Sequence, residues 1–166
     1  GTRAMTMIRA YDAERDATEL RGLFIELHET ERSIDPRMRP SESIADEYLA
    51  TMFERCTGWD GVVLVVEATE GEGLAGYVCV WRRYVSDELD DPPGEMGYVS
   101  DLVVTESARG AGVGRALLRA AEASVRDAGV DTLRLSVLAG NRNAIALYED
   151  EGFAAIEMDL EKRLNR

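Results

Sequence analysis

Across 166 residues the chain has two cysteines, one histidine, and 19 lysines and arginines against 32 aspartates and glutamates. Cys56 and Cys79 lack metal-ligand spacing, so no metal is expected. Two isolated thiols suit a reducing cytoplasm better than a disulfide framework. The net charge of −13 argues against general nucleic-acid binding, which needs a basic surface. No apolar run approaches the roughly 18 residues of a membrane span. Nothing at the N-terminus has the pattern of a signal peptide; residues 1–4 are expected to be a cloning remnant ahead of a start near Met5 or Met7. No Ser-His or Cys-His arrangement offers an activated nucleophile. No segment repeats with a solenoid period, and none is low in complexity.

What remains is the composition of one ordinary globular domain, expected over residues 5–166, with 45% hydrophobic and 31% charged residues. Met7 to Tyr11 reads as a first strand. Asp12 to Glu31 places Leu20, Leu23, Phe24 and Leu27 at helical spacing. Pro36 and Pro40 break that pattern, and Ser43 with Asp46 suits the start of a second helix running to about Cys56. Gly61 to Glu67 and Leu74 to Tyr84 read as a hairpin of strands across the turn Glu70 to Gly73. An acidic, proline-bearing loop from Ser86 to Gly94 precedes a strand from Met96 to Thr105. A helix from about Gly112 turns Leu117, Leu118, Ala121 and Val125 inward and stops at Gly129. Thr132 to Leu138 alternates as a strand, Asn141 to Asp150 forms a short helix closed by Gly152, and Ile156, Met158 and Leu160 suggest a last strand. The order is β-α-α-β-β-β-α-β-α-β, an α/β (α+β) arrangement with a mixed sheet and helices against it.

The stretch Ser107-Ala-Arg-Gly-Ala-Gly-Val-Gly-Arg-Ala-Leu-Leu118 puts Gly110, Gly112 and Gly114 at alternate positions before a helix. A helix N-terminus leaves unpaired N–H groups and a partial positive charge, an anion site. Glycines let a ligand approach the main chain. A P-loop would need a lysine after the last glycine, and none follows. A dinucleotide fingerprint would need glycine where Leu117 stands and an acid closing the next strand, which instead runs Ser136-Val-Leu-Ala-Gly140.

Arg109-Gly-Ala-Gly112-Val-Gly114, followed after one helix and one strand by Asn141-Arg-Asn-Ala144-Ile-Ala-Leu-Tyr148-Glu-Asp-Glu-Gly-Phe153, resembles the GNAT superfamily of acyl-CoA-dependent N-acetyltransferases. The likeness extends over about 61–160 in element order and 98–153 in motif detail. It implies a mostly antiparallel central sheet with helices on both faces. It implies acetyl-CoA as co-substrate, its pyrophosphate held by the amides of Arg109, Gly110, Ala111, Gly112, Val113, Gly114 and Arg115. Arg109, Arg115 and Arg119 would add positive charge there, or simply line a solvated helix face. The cofactor arm would lie beside Leu102, Val103 and Val104, where the strand parts from its neighbour. Alternation points Asp101 and Val103 one way and Leu102 and Val104 the other. Asn141 and Ala144 match positions near that arm, and Asn141 would equally serve as a helix cap.

Tyr148 matches the family tyrosine that protonates the departing thiolate; otherwise it is a half-buried packing residue. Many members carry a glutamate where Ser100 stands. Asp101 is therefore the favoured general base, beside Glu95, Glu31, a water chain and a base-free desolvating pocket. His28 reads as a surface or substrate-side residue. The resemblance implies transfer to an amine by direct attack on the thioester. The acidic balance makes a cationic acceptor attractive, whether a polyamine, an aminoglycoside or a protein amine. No nucleic acid or membrane partner is expected, and a homodimer is an option that family members often take. The rival reading is an acyl-CoA-binding sensor of the same fold without catalysis.

Overall fold

A computed structural model describes residues 7–69 and 73–165; the expected N-terminal remnant and most of the Glu70–Gly73 turn lie outside them. Strand β1 (Ile8–Ala10) leads into helix α1 (Ala13–Ile34). The Asp12 carboxylate accepts the N–H groups of Glu14 and Arg15 at 2.9 and 3.4 Å, satisfying donors that a helix start leaves orphaned. Helix α2 (Ser41–Gly58) begins two residues before the expected Ser43, directly after Pro40. The missing N–H of proline costs nothing at a helix boundary. The Ser43 hydroxyl bonds the Pro40 carbonyl at 2.6 Å instead.

Strands β2 (Gly61–Glu67), β3 (Leu74–Tyr84) and β4 (Met96–Val104) follow, then helix α3 (Val113–Asp127), strand β5 (Leu133–Leu135) and helix α4 (Arg142–Asp150). The sheet runs β1-β2-β3-β4-β5, antiparallel except for the parallel β4/β5 pair. Helices α1 and α2 cover one face, where Leu20, Phe24 and Met52 pack on Tyr77, Cys79 and Val103. Helix α3 covers the other, bringing the expected Leu117, Leu118, Ala121 and Val125 onto Val78, Val80 and Val99. Burial on both faces explains why β3 reads as a nearly unbroken apolar run.

Two expectations about the C-terminal part fail. The strand from Thr132 to Leu138 shrinks to Leu133–Leu135, and Val137 is exposed. The last strand is not formed: among the described residues nothing after Gly152 pairs with the sheet, and Ile156, Met158 and Leu160 are 69, 76 and 87% exposed. Alternation only nominates a face; a strand also needs a partner with free backbone groups. β5 pairs with β4 over Gly97 to Val99 alone, so it offers a short edge to add to.

Candidate active site

The glycine loop meets the helix as the sequence suggested. Gly110 and Gly112 have φ of 83° and 84°, the left-handed region that L side chains avoid, and Gly112 is the N-cap residue of α3. A Cβ at either would meet nothing within 4 Å, so the backbone is open to solvent there. Among the described residues, Arg109 N–H is bonded to Glu106 O at 3.2 Å, whereas the N–H groups from Gly110 to Arg115 have no acceptor. Six consecutive free amides at a helix N-terminus form a nest for an anion, helped by the helix dipole. Val113 is buried, so it offers its amide and not its side chain.

The arginines divide. Arg109 meets no carboxylate, and its Nε–H donates to Val104 O at 3.3 Å. The side chains of Arg115 and Arg119, expected to charge the loop, are committed elsewhere. Arg115 pairs with Glu151 and, at 2.7 Å, with Asp150; Arg119 reaches Glu151 at 3.1 Å. These pairs clasp the end of α4 to α3 and hold the Glu151 carboxyl below its usual range. Their charge is spent on that clasp, which leaves Arg115 only its amide to offer.

Strand β4 carries a feature the sequence did not reveal. Cys79 pairs with Asp101 and Val80 with Val99, so Ser100 is an extra residue, a bulge. It reverses the parity of the strand: Val99 packs on the α3 face, whereas Tyr98, Asp101 and Val103 belong to the α1/α2 face. Beyond the bulge Leu102 and Val104 pack on the α3 face, as expected. The β5 pairing also ends at Val99, leaving the backbone edge of residues 100–104 open. An extended, amide-bearing arm can add there as a strand.

Asp101 is buried, only 3% exposed, and accepts three hydroxyl hydrogen bonds: Tyr48 at 2.6 Å, Tyr77 at 2.8 Å and Ser100 at 3.0 Å. Burial pushes its pKa up and the three donors pull it down, with burial the larger effect. Tyr48 and Ser100 line the adjoining cleft, so Asp101 is reached through their hydroxyls. Glu31 is half-buried nearby, its pKa raised chiefly by burial. Glu95 is taken by Arg83 at 3.0 Å. His28 is buried, not on the surface; its Nε2–H donates to Arg39 O at 2.7 Å, and its ring stacks on Phe24.

Tyr148, on α4, packs edge-on to Phe153 with ring centroids 5.8 Å apart. Burial first, and Glu31 second, raise its phenol pKa. Asn141 caps α4 by accepting Ala144 N–H at 3.3 Å, so its structural role is realised.

The cleft beside Tyr48 and Ser100 holds about 900 Å³ between α1, α2 and the sheet. Its far end is a connected group of rings: Trp59–Trp81 at 5.0 Å, Trp59–Tyr84 at 4.8 Å, Tyr84–Tyr98 at 5.2 Å and Trp81–Tyr98 at 5.6 Å. Sequence reasoning missed Tyr48, Tyr77 and this ring group. Only the helical spacing of Ile44, Tyr48 and Met52 could have pointed to a shared α2 face. From the acidic loop, Asp87 lines the cleft, whereas Asp91 is held by Ser86 at 2.5 Å and Arg134 at 3.3 Å. Among the described residues no group of three or more His, Cys, Asp or Glu side chains could hold a metal ion, and no helix is long and apolar enough to cross a membrane.

Residues 13–153 match the model of the acetyltransferase (GNAT) family. Mycothiol acetyltransferase of Corynebacterium urealyticum is 33% identical over 113 residues, 64% of this chain and 33% of that protein. Mycothiol acetyltransferase of Jonesia denitrificans is 46% identical over 98 residues, 59% of this chain and 29% of that protein. The aligned part is thus about a third of these curated relatives' length. A variant of the BH1408 protein of Bacillus halodurans superposes with a TM-score of 0.72 at 26% identity, over 96% of this chain and 99% of that one.

Proposed function

The chain belongs to the GNAT family of acetyl-CoA-dependent N-acetyltransferases, and from that premise we propose that it passes the acetyl group directly to an amine held in the ring-lined cleft. The observation that carries this reading is the continuity of two open backbone surfaces. The free amides of residues 110–115 suit a diphosphate, and the unpaired edge of residues 100–104 leads from them toward the cleft wall at Ser100. Arg109 lies on that route, its Nε–H on Val104 O, and the family resemblance assigns Asn141 and Ala144 to the same arm. The open amides of β4 also suit the negative charge that develops on the acetyl oxygen during attack.

Attack needs a neutral amine. With a pKa of about 10 only about one molecule in a thousand is neutral at pH 7, a handicap near 4 kcal/mol. The Tyr48 and Ser100 hydroxyls relay the amine proton to Asp101, whose raised pKa makes it a better base than an ordinary aspartate. Tyr148, kept protonated by burial, donates to the leaving thiolate. The cleft volume suits a small acceptor, and Glu47 and Asp87 on its wall suit an ammonium.

Calorimetric titration with acetyl-CoA, followed by thiol release across a panel of amines, tests the reading. Micromolar binding with turnover on at least one amine is the expected result. Binding without turnover on any amine would favour a sensor of the same fold, and no binding would remove the cofactor site altogether.

A further inference from the structure

Most arginines of this acidic chain close on a carboxylate within 4 Å. Among the described residues the exceptions are Arg109 and Arg142 at the cofactor end, Arg163 in the C-terminal segment, and Arg39 and Arg55 on the cleft. Arg39 and Arg55 stand at opposite ends of α2, so they do not converge on one group. Arg55 is the one held in place. Its guanidinium lies 5.6 Å from the centre of the Trp81 ring, a cation–π contact that uses its charge and none of its N–H donors. No hydrogen bond or ion pair within the described residues takes those donors, although the acids Glu47 and Asp87 line the same cleft. Arg55 also lies seven residues beyond Tyr48 on one face of α2, two turns, or on the order of 10 Å.

We infer that the acceptor is an elongated amine with an anionic group at its far end: the nitrogen reaches Tyr48 and Ser100, and Arg55 binds the anion beside Trp59 and Trp81. This rests on the transferase reading above and narrows its substrate class. A guanidinium above an aromatic ring presents planar, charge-assisted donors, which suit a carboxylate or a phosphate monoester. Glu47 and Asp87 stay available for the ammonium, so the cleft complements a molecule with both charges. A diamine, by contrast, would bring a second cation against Arg55.

The test uses three matched series of equal chain length: ω-amino carboxylates, alkylamines with a neutral end, and diamines. ω-Aminoalkyl phosphates form a fourth arm that separates the two anion sources. Thiol release from acetyl-CoA should give a KM at least tenfold lower for the anionic members at a chain length near 10 Å than for the neutral ones. Arg55→Gln, a change at an exposed position, should collapse that preference at least tenfold. Equal or better use of diamines, or an unchanged preference in the variant, would overturn the inference.

A second readout is independent of turnover. The only tryptophans, Trp59 and Trp81, both line this end of the cleft. Their fluorescence should respond to an ω-amino carboxylate without acetyl-CoA, and the apparent Kd should rise at least tenfold in Arg55→Gln. No response to either anionic series sinks the anion site. A response without turnover on any amine upholds the anion site and sinks the transferase reading instead.

Discussion

The chemistry at the site depends on which protons its buried hydroxyls and carboxyls keep. Tyr148 carries a phenol whose pKa is raised by burial, so it stays protonated at neutral pH and can give that proton away. Tyr148→Phe should lower kcat about a hundredfold, in the range of a lost general acid, with the KM for acetyl-CoA changed less than about twofold. Steady-state kinetics decide it, and full turnover in the variant removes the assigned acid. Asp101 holds its proton more tightly when folded than an ordinary aspartate does. Its protonated form therefore favours folding at low pH, and that contribution is lost as pH rises through its folded pKa. Catalysis runs the opposite way, because a base works only once ionised. The acid limb of kcat/KM should accordingly lie above pH 3.8, the ordinary aspartate value. Asp101→Asn should abolish that limb; a limb that persists unchanged would transfer the role to Glu31.

Among the elements, the junction of the glycine loop with α3 and the bulge in β4 decide most. Gly112 combines a left-handed φ with the N-cap position. An alanine there costs roughly 1–2 kcal/mol of backbone strain and turns the neighbouring amides away from their common target. Gly112→Ala should therefore both lower the Tm and weaken acetyl-CoA binding at least tenfold, read by thermal melting and calorimetry. A lower Tm with unchanged binding would show that the amides do not hold the cofactor. The bulge at Ser100 has no counterpart in composition or propensity. It is a mismatch between two strands, visible only when β3 supplies the register. Without it Tyr98 and Asp101 would face opposite sides of the sheet, and the ring group would be cut off from the carboxylate.

At the level of the whole molecule, β1 and the start of α1 are tied by an ion pair on which sequence reasoning was silent. Asp16, 3% exposed, accepts two hydrogen bonds from Arg9, at 2.7 and 2.9 Å, and the Asp12 N–H at 2.9 Å. The Arg9 partnership holds its carboxyl below the ordinary range. Its stabilisation is thus present above the unfolded-state pKa and is lost as pH falls through the folded one. Asp16→Asn should cost about 2 kcal/mol, less than for a fully buried pair because the Arg9 side chain is 26% exposed. Urea melts should show the gap to the parent chain closing below about pH 3.8; a gap that does not change with pH would exclude the ion pair as its source.

The sequence by itself determined the succession of elements from the first strand through α4, the inward face of α3, and the open glycine loop at the start of that helix. Each of these follows from local rules: periodicity, glycine φ, and the unpaired amides of a helix start. Only the tertiary structure decided that the described residues after Gly152 form no strand, that Arg115 and Arg119 serve α4, and that Asp101 sits behind Tyr48 and Ser100. Those outcomes depend on partners brought from distant segments, and residue order alone does not say which groups will meet.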